Sequence, residues 1–307
     1  KKEDREILVE MYGTEYEQGE ICERGYAFFS RAWKEMEFHC VKLEEVCRQK
    51  DAEFLGILND IKYGRNLQNV IAYLESNQSS DLMEEAPYLV GTNAKADKIN
   101  QAHMRALDEK TEKKFWAIIE GDVTYEDIKN ISFAKQSLVV NVGAKVMLTA
   151  NDANGEYVNG TMGTIIDISK ERGDATCIQV LTDKGKKVDV YRYEREIERQ
   201  DIEESKEKNK NGETVIVKKI VRKIVGSFKQ FPIKIAWAMS IHKSQGQTFG
   251  QVNIDPRCWD SGQFYVAVSR AEAVAGIHFM APIMKQYIRT LSDEVIKILR
   301  ESLYSII

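Results

Sequence analysis

At 307 residues, 43% hydrophobic and 30% charged, the chain is too long for one small module and has the balance of an ordinary soluble protein of two compact domains. Four prolines argue against long disordered linkers, no apolar run approaches a membrane span, and the polar start Lys1-Lys2-Glu3-Asp4-Arg5 does not read as a secretory signal. Five scattered cysteines (Cys22, Cys40, Cys47, Cys177, Cys258), never spaced Cys-x-x-Cys, speak against a disulfide framework or a zinc site, and a formal net charge of −4 decides nothing about nucleic acid, since only a contact surface has to match phosphates.

In chain order, residues 3–12 have helical spacing, with Ile7, Leu8 and Met11 on one side. A second helix is predicted over 30–36, capped by Ser30, and a strand over 38–43. Residues 51–63 read as a helix with Phe54, Leu55, Leu58 and Ile61 inward, and another helix starts at Leu67. A short apolar strand over 87–92 leads into a polar helix over 95–107. Strand, then helix, with ligands at the junction is the habit of α/β folds.

The character changes near Ser137. Short β-branched runs at 138–142, 144–149, 163–168, 177–181, 187–191 and 215–225 are separated by turn signals such as Asn154-Gly155, Asn159-Gly160 and Lys184-Gly185. Such spacing predicts a small β-barrel. The α/β rhythm then resumes: strand 233–237, helix, strand 251–254, helix, strand 277–280. The expected architecture is therefore an α/β domain, 37–137 with 230–307, interrupted by an all-β module at 138–229.

Four segments carry candidate chemistry. In Ser240-Ile241-His242-Lys243-Ser244-Gln245-Gly246-Gln247-Thr248, helical spacing puts Ser240, Lys243 and Ser244 on one side and His242 with Gln245 on another. Short hydroxyls and a lysine suit phosphodiester contacts, and Gly246 permits close backbone approach; a merely solvated polar helix accounts for the same residues. In Ser261-Gly262-Gln263-Phe264-Tyr265-Val266-Ala267-Val268-Ser269-Arg270, the residues Gln263, Ala267 and Arg270 form a stripe with room for a ligand beside Ala267. A fixed guanidinium there fits phosphoryl transfer, or pairs with a surface carboxylate. Arg48, at a strand-to-helix joint, is either a second phosphate-facing arginine or a loop anchor on Asp51 or Glu45. Thr92 and Asn93 cap the helix that follows them and stand where a DNA phosphate could be touched.

Together with Gly25-Tyr26-Ala27-Phe28 through Trp33, Val142-Gly143-Ala144-Lys145-Val146-Met147-Leu148 and Val158-Asn159-Gly160-Thr161-Met162-Gly163, these segments follow one another in an order that resembles the C-terminal region of RecD-like superfamily 1 DNA helicases, most nearly the petite-integration-frequency (Pif) class. The resemblance implies a RecA-like parallel-sheet motor domain with an inserted small β-barrel, and residues 1–36 as the tail of a first motor domain. It implies Arg48 and Arg270 as catalytic arginines, Gln245, Gly246 and Gln263 at ATP, and Thr92, Asn93, Ser240, His242, Lys243 and Ser244 at the DNA strand. Gly160 is then chiefly structural, a turn glycine with positive φ. The implied activity is ATP-driven 5′→3′ translocation on single-stranded DNA with duplex unwinding, by a monomer acting at duplex junctions. The expected setting is the cytoplasm, at the nucleoid, if the source is bacterial, with a nucleus or mitochondrion also compatible.

Two departures stand out. Other superfamily 1 branches carry Lys and Glu at the positions of Gln245 and Thr248, which favours the RecD-like branch. The chain also holds no G-x-x-x-x-G-K-[ST] loop and no apolar strand ending in Asp-Glu. ATP and Mg²⁺ would be held mainly by the missing N-terminal motor domain, no metal site is expected here, and the chain alone should lack ATPase. A non-catalytic single-strand-binding fragment and the motor part of a conjugative relaxase-helicase remain the competing readings. Lysines and arginines crowd 206–234, which predicts a hairpin with one wet basic face, either a DNA guide or a solvated edge.

Overall fold

The computed structural model describes Met36 and residues 48–290, except 130, 132–134, 171–175 and 209–213. The helices expected at 3–12 and 30–36, the strand at 38–43 and the domain tail at 1–36 lie outside these residues, Met36 apart. All other described residues belong to one unit, Cys47–Leu291.

Helix α1 (Ala52–Tyr63) starts where Asp51 Oδ1 accepts the amides of Glu53 at 2.8 Å and Phe54 at 3.2 Å. It buries Phe54, Ile57, Leu58 and Ile61, so Ile57 takes the inward place expected of Leu55. Helix α2 (Leu67–Asn77) adds Val70 and Leu74 to the same core. Strand β1 (Tyr88–Val90) is buried along its length and feeds α3 (Asn93–Arg105), whose first turn is capped by Thr92.

The β module follows: β2 (Lys113–Trp116), β3 (Ile118–Gly121), the short α4 (Tyr125–Ile128), then β4 (Ser137–Val140), β5 (Lys145–Leu148), β6 (Met162–Lys170), β7 (Thr176–Thr182), β8 (Lys187–Val190), β9 (Tyr193–Lys208), β10 (Thr214–Gln230) and β11 (Ile233–Ile235). Antiparallel pairing gives a five-stranded sheet β11-β5-β6-β7-β8, a ribbon β2-β4 and a sheet β3-β10-β9. Val140, Val146, Leu148, Ile165, Ile178, Val180, Val190 and Phe231 form its own core. Strands β2, β3 and β11 fall outside 138–229, so the module is wider at both ends than the sequence boundaries.

The last elements are β12 (Ala238–Ser240), β13 (Val252–Ile254), α5 (Gln263–Val268) and β14 (Ile277–Phe279). With β1 they make a parallel sheet of order β12-β1-β13-β14. Strands β12, β1 and β13 are buried along their whole length, as parallel strands flanked by helices must be. The run expected as one strand at 233–237 is in fact two: Ile233–Ile235 joins β5, and Ala236-Trp237 carries the chain across to β12. The Ala236 amide donates to Lys145 O and the Tyr88 amide to Trp237 O, so this dipeptide stitches the two sheets together. Among the described residues no helix is long and apolar enough to cross a membrane.

Strand β9 had no sequence signal. Its Glu- and Arg-rich run lacks apolar alternation and is held by the ladder to β10 together with ion pairs: Arg222–Glu198 at 3.8 Å, Lys223–Asp201 at 2.9 Å, Lys223–Glu203 at 3.1 Å and Lys229–Glu194 at 3.4 Å. The basic face expected over 206–234 is therefore faced by acidic partners from an unforeseen strand. At the hairpin base, Arg199 pairs with Asp127 at 2.8 Å and Asp122 at 3.1 Å, over a small core of Ile128, Ile197 and Phe228. The bonds that Asp127 accepts from Arg199, and after them those from the hydroxyl and amide of Thr124, hold its carboxyl well below the usual range.

Candidate nucleotide and nucleic-acid interface

Two arginines from distant parts of the chain meet at the turn after α5. Arg48 donates from Nε to Thr248 Oγ1 at 2.8 Å and from Nη1 to the Ser269 carbonyl at 3.0 Å. Its neighbour Gln49, 4% exposed, donates to the carbonyls of Ser269 and Ala271 at 3.0 and 2.9 Å, which fixes the segment ahead of α1 against this turn. Arg270 donates to Val266 O at 3.0 Å, Ser269 Oγ at 3.0 Å and Gln247 O at 3.4 Å. Among the described residues no carboxylate pairs with either guanidinium; Asp51, one of the anchors considered for Arg48, is spent on capping α1. Burial, and after it the charge of Arg48, push the Arg270 guanidinium below its usual value. Two like charges held together by neutral acceptors leave outward N–H donors for a polyanion. Gln49, Gln247 and Ser269 were given no role by sequence, although each lies in or beside a motif segment, and Thr248 was noted only as a departure from other branches.

The second cluster follows from parallel pairing. β1 and β12 set Val90 opposite Ser240, so the loops leaving both strands emerge side by side at the carboxyl edge, where α/β sheets present ligand sites. The segment Ile241–Ser244 is a 3-10 turn, and helical spacing therefore misassigned its faces. Asn93, His242 and Lys243 are exposed, and Thr92 Oγ1 accepts the Lys95 amide at 3.3 Å. Ser240 is 4% exposed and donates its hydroxyl to Asn93 Oδ1 at 2.9 Å, so it is turned inward and fixes the Asn93 side chain. Ser244 departs from expectation: it is wholly buried, with its hydroxyl spent on Ile241 O at 2.7 Å, and offers nothing to a strand.

The stripe Gln263–Ala267–Arg270 is no groove. Ala267 is wholly buried in the core, and Arg270 lies past the end of α5. Gln263 is buried too: Nε2 donates to Gly91 O at 3.1 Å while Oε1 accepts the Trp259 amide at 3.0 Å, so it joins the β1 exit to the loop before α5. Gln245 is exposed and lines a pocket of about 290 Å³ with His242, Gln263, Tyr265 and Val266, the last holding Arg270 through its carbonyl. Gly246 follows at φ 85, open to solvent. Gln245 thus shares this pocket with His242 and with Val266, whose carbonyl accepts from Arg270.

Three supporting contacts complete the site. Asp255, 1% exposed at the end of β13, receives Arg257 Nε at 2.7 Å and Lys95 Nζ. Burial raises its pKa, but the bonds from Arg257 and Lys95 outweigh that and leave it lowered. Lys234 on β11 has its pKa pushed down to about 7 by burial, by a side-chain contact with Lys243 and by the charges of Lys243 and Lys135, with Asp97 opposing. Gly160, at φ 92 in the Asn159-Gly160 turn of the β module, abuts Gln247, whose carboxamide would overlap a Cβ there. The turn is thus structural in two senses, since the same Gln247 offers its carbonyl to Arg270.

No family model matches the chain. It is 30% identical over 261 residues to the ATP-dependent DNA helicase Pif1 of Bdellovibrio bacteriovorus, covering 84% of this chain and 54% of that protein. To the Pif1 helicase of Campylobacter jejuni it is 29% identical over 258 residues, 80% of this chain and 54% of the relative. The chain spans about half the length of both relatives. Among solved structures, Bacteroides Pif1 bound to ssDNA superposes with a TM-score of 0.64 at 28% identity, covering 98% of this chain and 63% of that one. Bacteroides Pif1 in complex with ADP-AlF4 gives 0.69 at 27% identity, covering 99% and 64%. With a parallel sheet bearing both motif clusters and a β module inserted in it, the chain belongs with the Pif class of superfamily 1 helicases and corresponds to their C-terminal region.

Proposed function

We propose that this chain is the second motor domain, with its inserted barrel, of an ATP-dependent DNA helicase that moves 5′→3′ along single-stranded DNA and opens duplex junctions as a monomer. The observation that carries the reading is the Arg48–Arg270 pair, fixed on Ser269 with no carboxylate partner among the described residues. Such a pair fits the phosphates of a nucleotide whose main seat is elsewhere. ATP and Mg²⁺ would be held mainly by a first motor domain, and hydrolysis of ATP supplies the free energy for stepping. Arg48 and Arg270 would offer donors to the terminal phosphates when the interdomain cleft closes. Asn93, oriented by Ser240, and Thr92, His242 and Lys243 would grip the strand backbone, with Gln245 in the pocket it shares with His242. The proteins it resembles carry helicase names, and their structures include complexes with ssDNA, with ADP-AlF4 and with forked dsDNA.

The test is ATP turnover with and without single-stranded DNA, on this chain alone and on a protein that also carries the first motor domain. The chain alone should show none while the longer protein shows DNA-stimulated turnover. Robust turnover by the chain alone would mean a complete phosphate site within it and would sink the assignment.

A further inference from the structure

The loop between β13 and α5 carries an exposed indole that none of the motif residues accounts for. Trp259 is 55% exposed, yet its backbone is among the better-anchored parts of the site. Gln263 accepts the Trp259 amide at 3.0 Å and donates to Gly91 O at 3.1 Å, so one buried carboxamide clamps the loop to the β1 exit. The indole Cδ1 and Nε1 lie 3.6 Å from where a Cβ on Gly91 would be, directly before Thr92 and Asn93. The next residue, Asp260, has its Oδ2 3.6 Å from His242 Nε2. Two residues upstream, Arg257 is exposed and oriented by buried Asp255. The indole thus lies against the residue that precedes Thr92 and Asn93, on a loop whose next residue contacts His242. Trp116, the other exposed tryptophan among the described residues, lies in the β module with Lys114 4.4 Å above its ring and has no such setting.

We infer that Trp259 is a stacking platform for one base of the bound single strand, held in place by Gln263 while Thr92, Asn93, His242 and Lys243 take the adjoining phosphates. The inference rests on the strand-binding reading above. It adds a base contact to a set of residues that otherwise recognises only phosphate and sugar. An aromatic face accepts any base, so the contact would be indifferent to sequence but would require a base to be present.

The experiment compares binding of this chain to a thymidine oligonucleotide and to the same oligonucleotide with abasic residues, at fixed salt. The unmodified chain should prefer the base-bearing strand by about tenfold, the scale of one stacked base. Trp259→Ala should bind that strand about tenfold more weakly and lose the preference, Trp259→Phe should keep most of it, and Lys243→Ala should weaken both strands alike. On binding, tryptophan fluorescence should be quenched in the unmodified chain and much less so in Trp259→Phe. If Trp259→Ala retains the full preference, or weakens both strands equally, stacking is overturned while strand binding stands. If the unmodified chain binds neither oligonucleotide, the strand-binding reading fails and this inference with it.

Discussion

Ser269 joins Arg48 to Arg270: its carbonyl accepts Arg48 Nη1 and its hydroxyl accepts Arg270 Nη2, each at 3.0 Å. Residues 222 positions apart thereby share one small acceptor, and neither guanidinium can be repositioned without disturbing the turn that holds the other. Like charges are kept together by neutral oxygens, an arrangement that a bound polyphosphate would relieve.

Replacing either arginine tests that arrangement directly. In a protein that carries both motor domains, Arg270→Ala and Arg48→Ala should each lower ATP turnover by about a thousandfold or more, the scale of a lost transition-state arginine. Affinity for single-stranded DNA should be nearly unchanged. Lost DNA binding with retained turnover would reverse the assignment of the two clusters.

The lysine contact predicts a pH dependence. Lys234 is lowered in the folded chain to about 7 while its unfolded value stays near 10.5, so the unfolded state binds the extra proton between these values. The penalty for holding Lys234 charged beside Lys243 and Lys135, with Asp97 only partly offsetting it, is full below pH 7 and fades as pH rises toward 10. The denaturation midpoint of the unmodified chain should therefore gain on that of Lys234→Met as pH rises through this window. A gap between the two that stays constant from pH 6 to 10 would refute the linkage.

Gly160→Ala should destabilise the chain by about 1–2 kcal/mol through its positive φ and should also displace Gln247. Gly155→Ala supplies the control, because its φ of 74 is equally unfavourable but a Cβ there meets nothing within 4 Å. In a protein with both motor domains, turnover should fall for Gly160→Ala and hold for Gly155→Ala. Equal turnover in the two variants would mean that Gln247 does not transmit the disturbance to Arg270.

The hairpin predicts a negative result that salt titration can read. Arg222→Gln with Lys223→Gln removes two cations already paired with β9 carboxylates, so DNA affinity and its salt slope should not change. Lys243→Gln should lower the slope by about one. A marked loss of slope in the hairpin variant would restore it as a DNA guide.

The elements most legible in the sequence were those whose burial imposes a period. Helix α1, strand β1 and most of the β module follow from apolar spacing and turn residues, since each must hide one face or both. Strand β9 was illegible because cross-strand ion pairs and a backbone ladder hold it, and these leave no apolar pattern. The division of 233–237 between two sheets was hidden as well, for five apolar-rich residues look alike whichever neighbour they join. Within the site, Arg48, Thr92 and Asn93 could be picked out because each stands at a strand or helix end, and Arg270 through a helical stripe that the structure does not bear out. Ser244 misled because helical spacing was applied to what is a 3-10 turn, and Trp259 went unnoticed because its setting depends on Gly91, far away in sequence.

The charge-paired zipper of β9 against β10 governs how the module can vary. A ribbon of sixteen and seventeen residues, closed by its own opposed charges and rooted at Arg199, at the β3 ladder and at a small apolar seat, makes few demands on the rest of the module in its outer portion. Its outer portion can be shortened, lengthened or re-lettered in complementary pairs while Arg48, Arg270 and their acceptors keep their places. Among related chains the arm should therefore be where length and partner choice diverge, over a conserved seat.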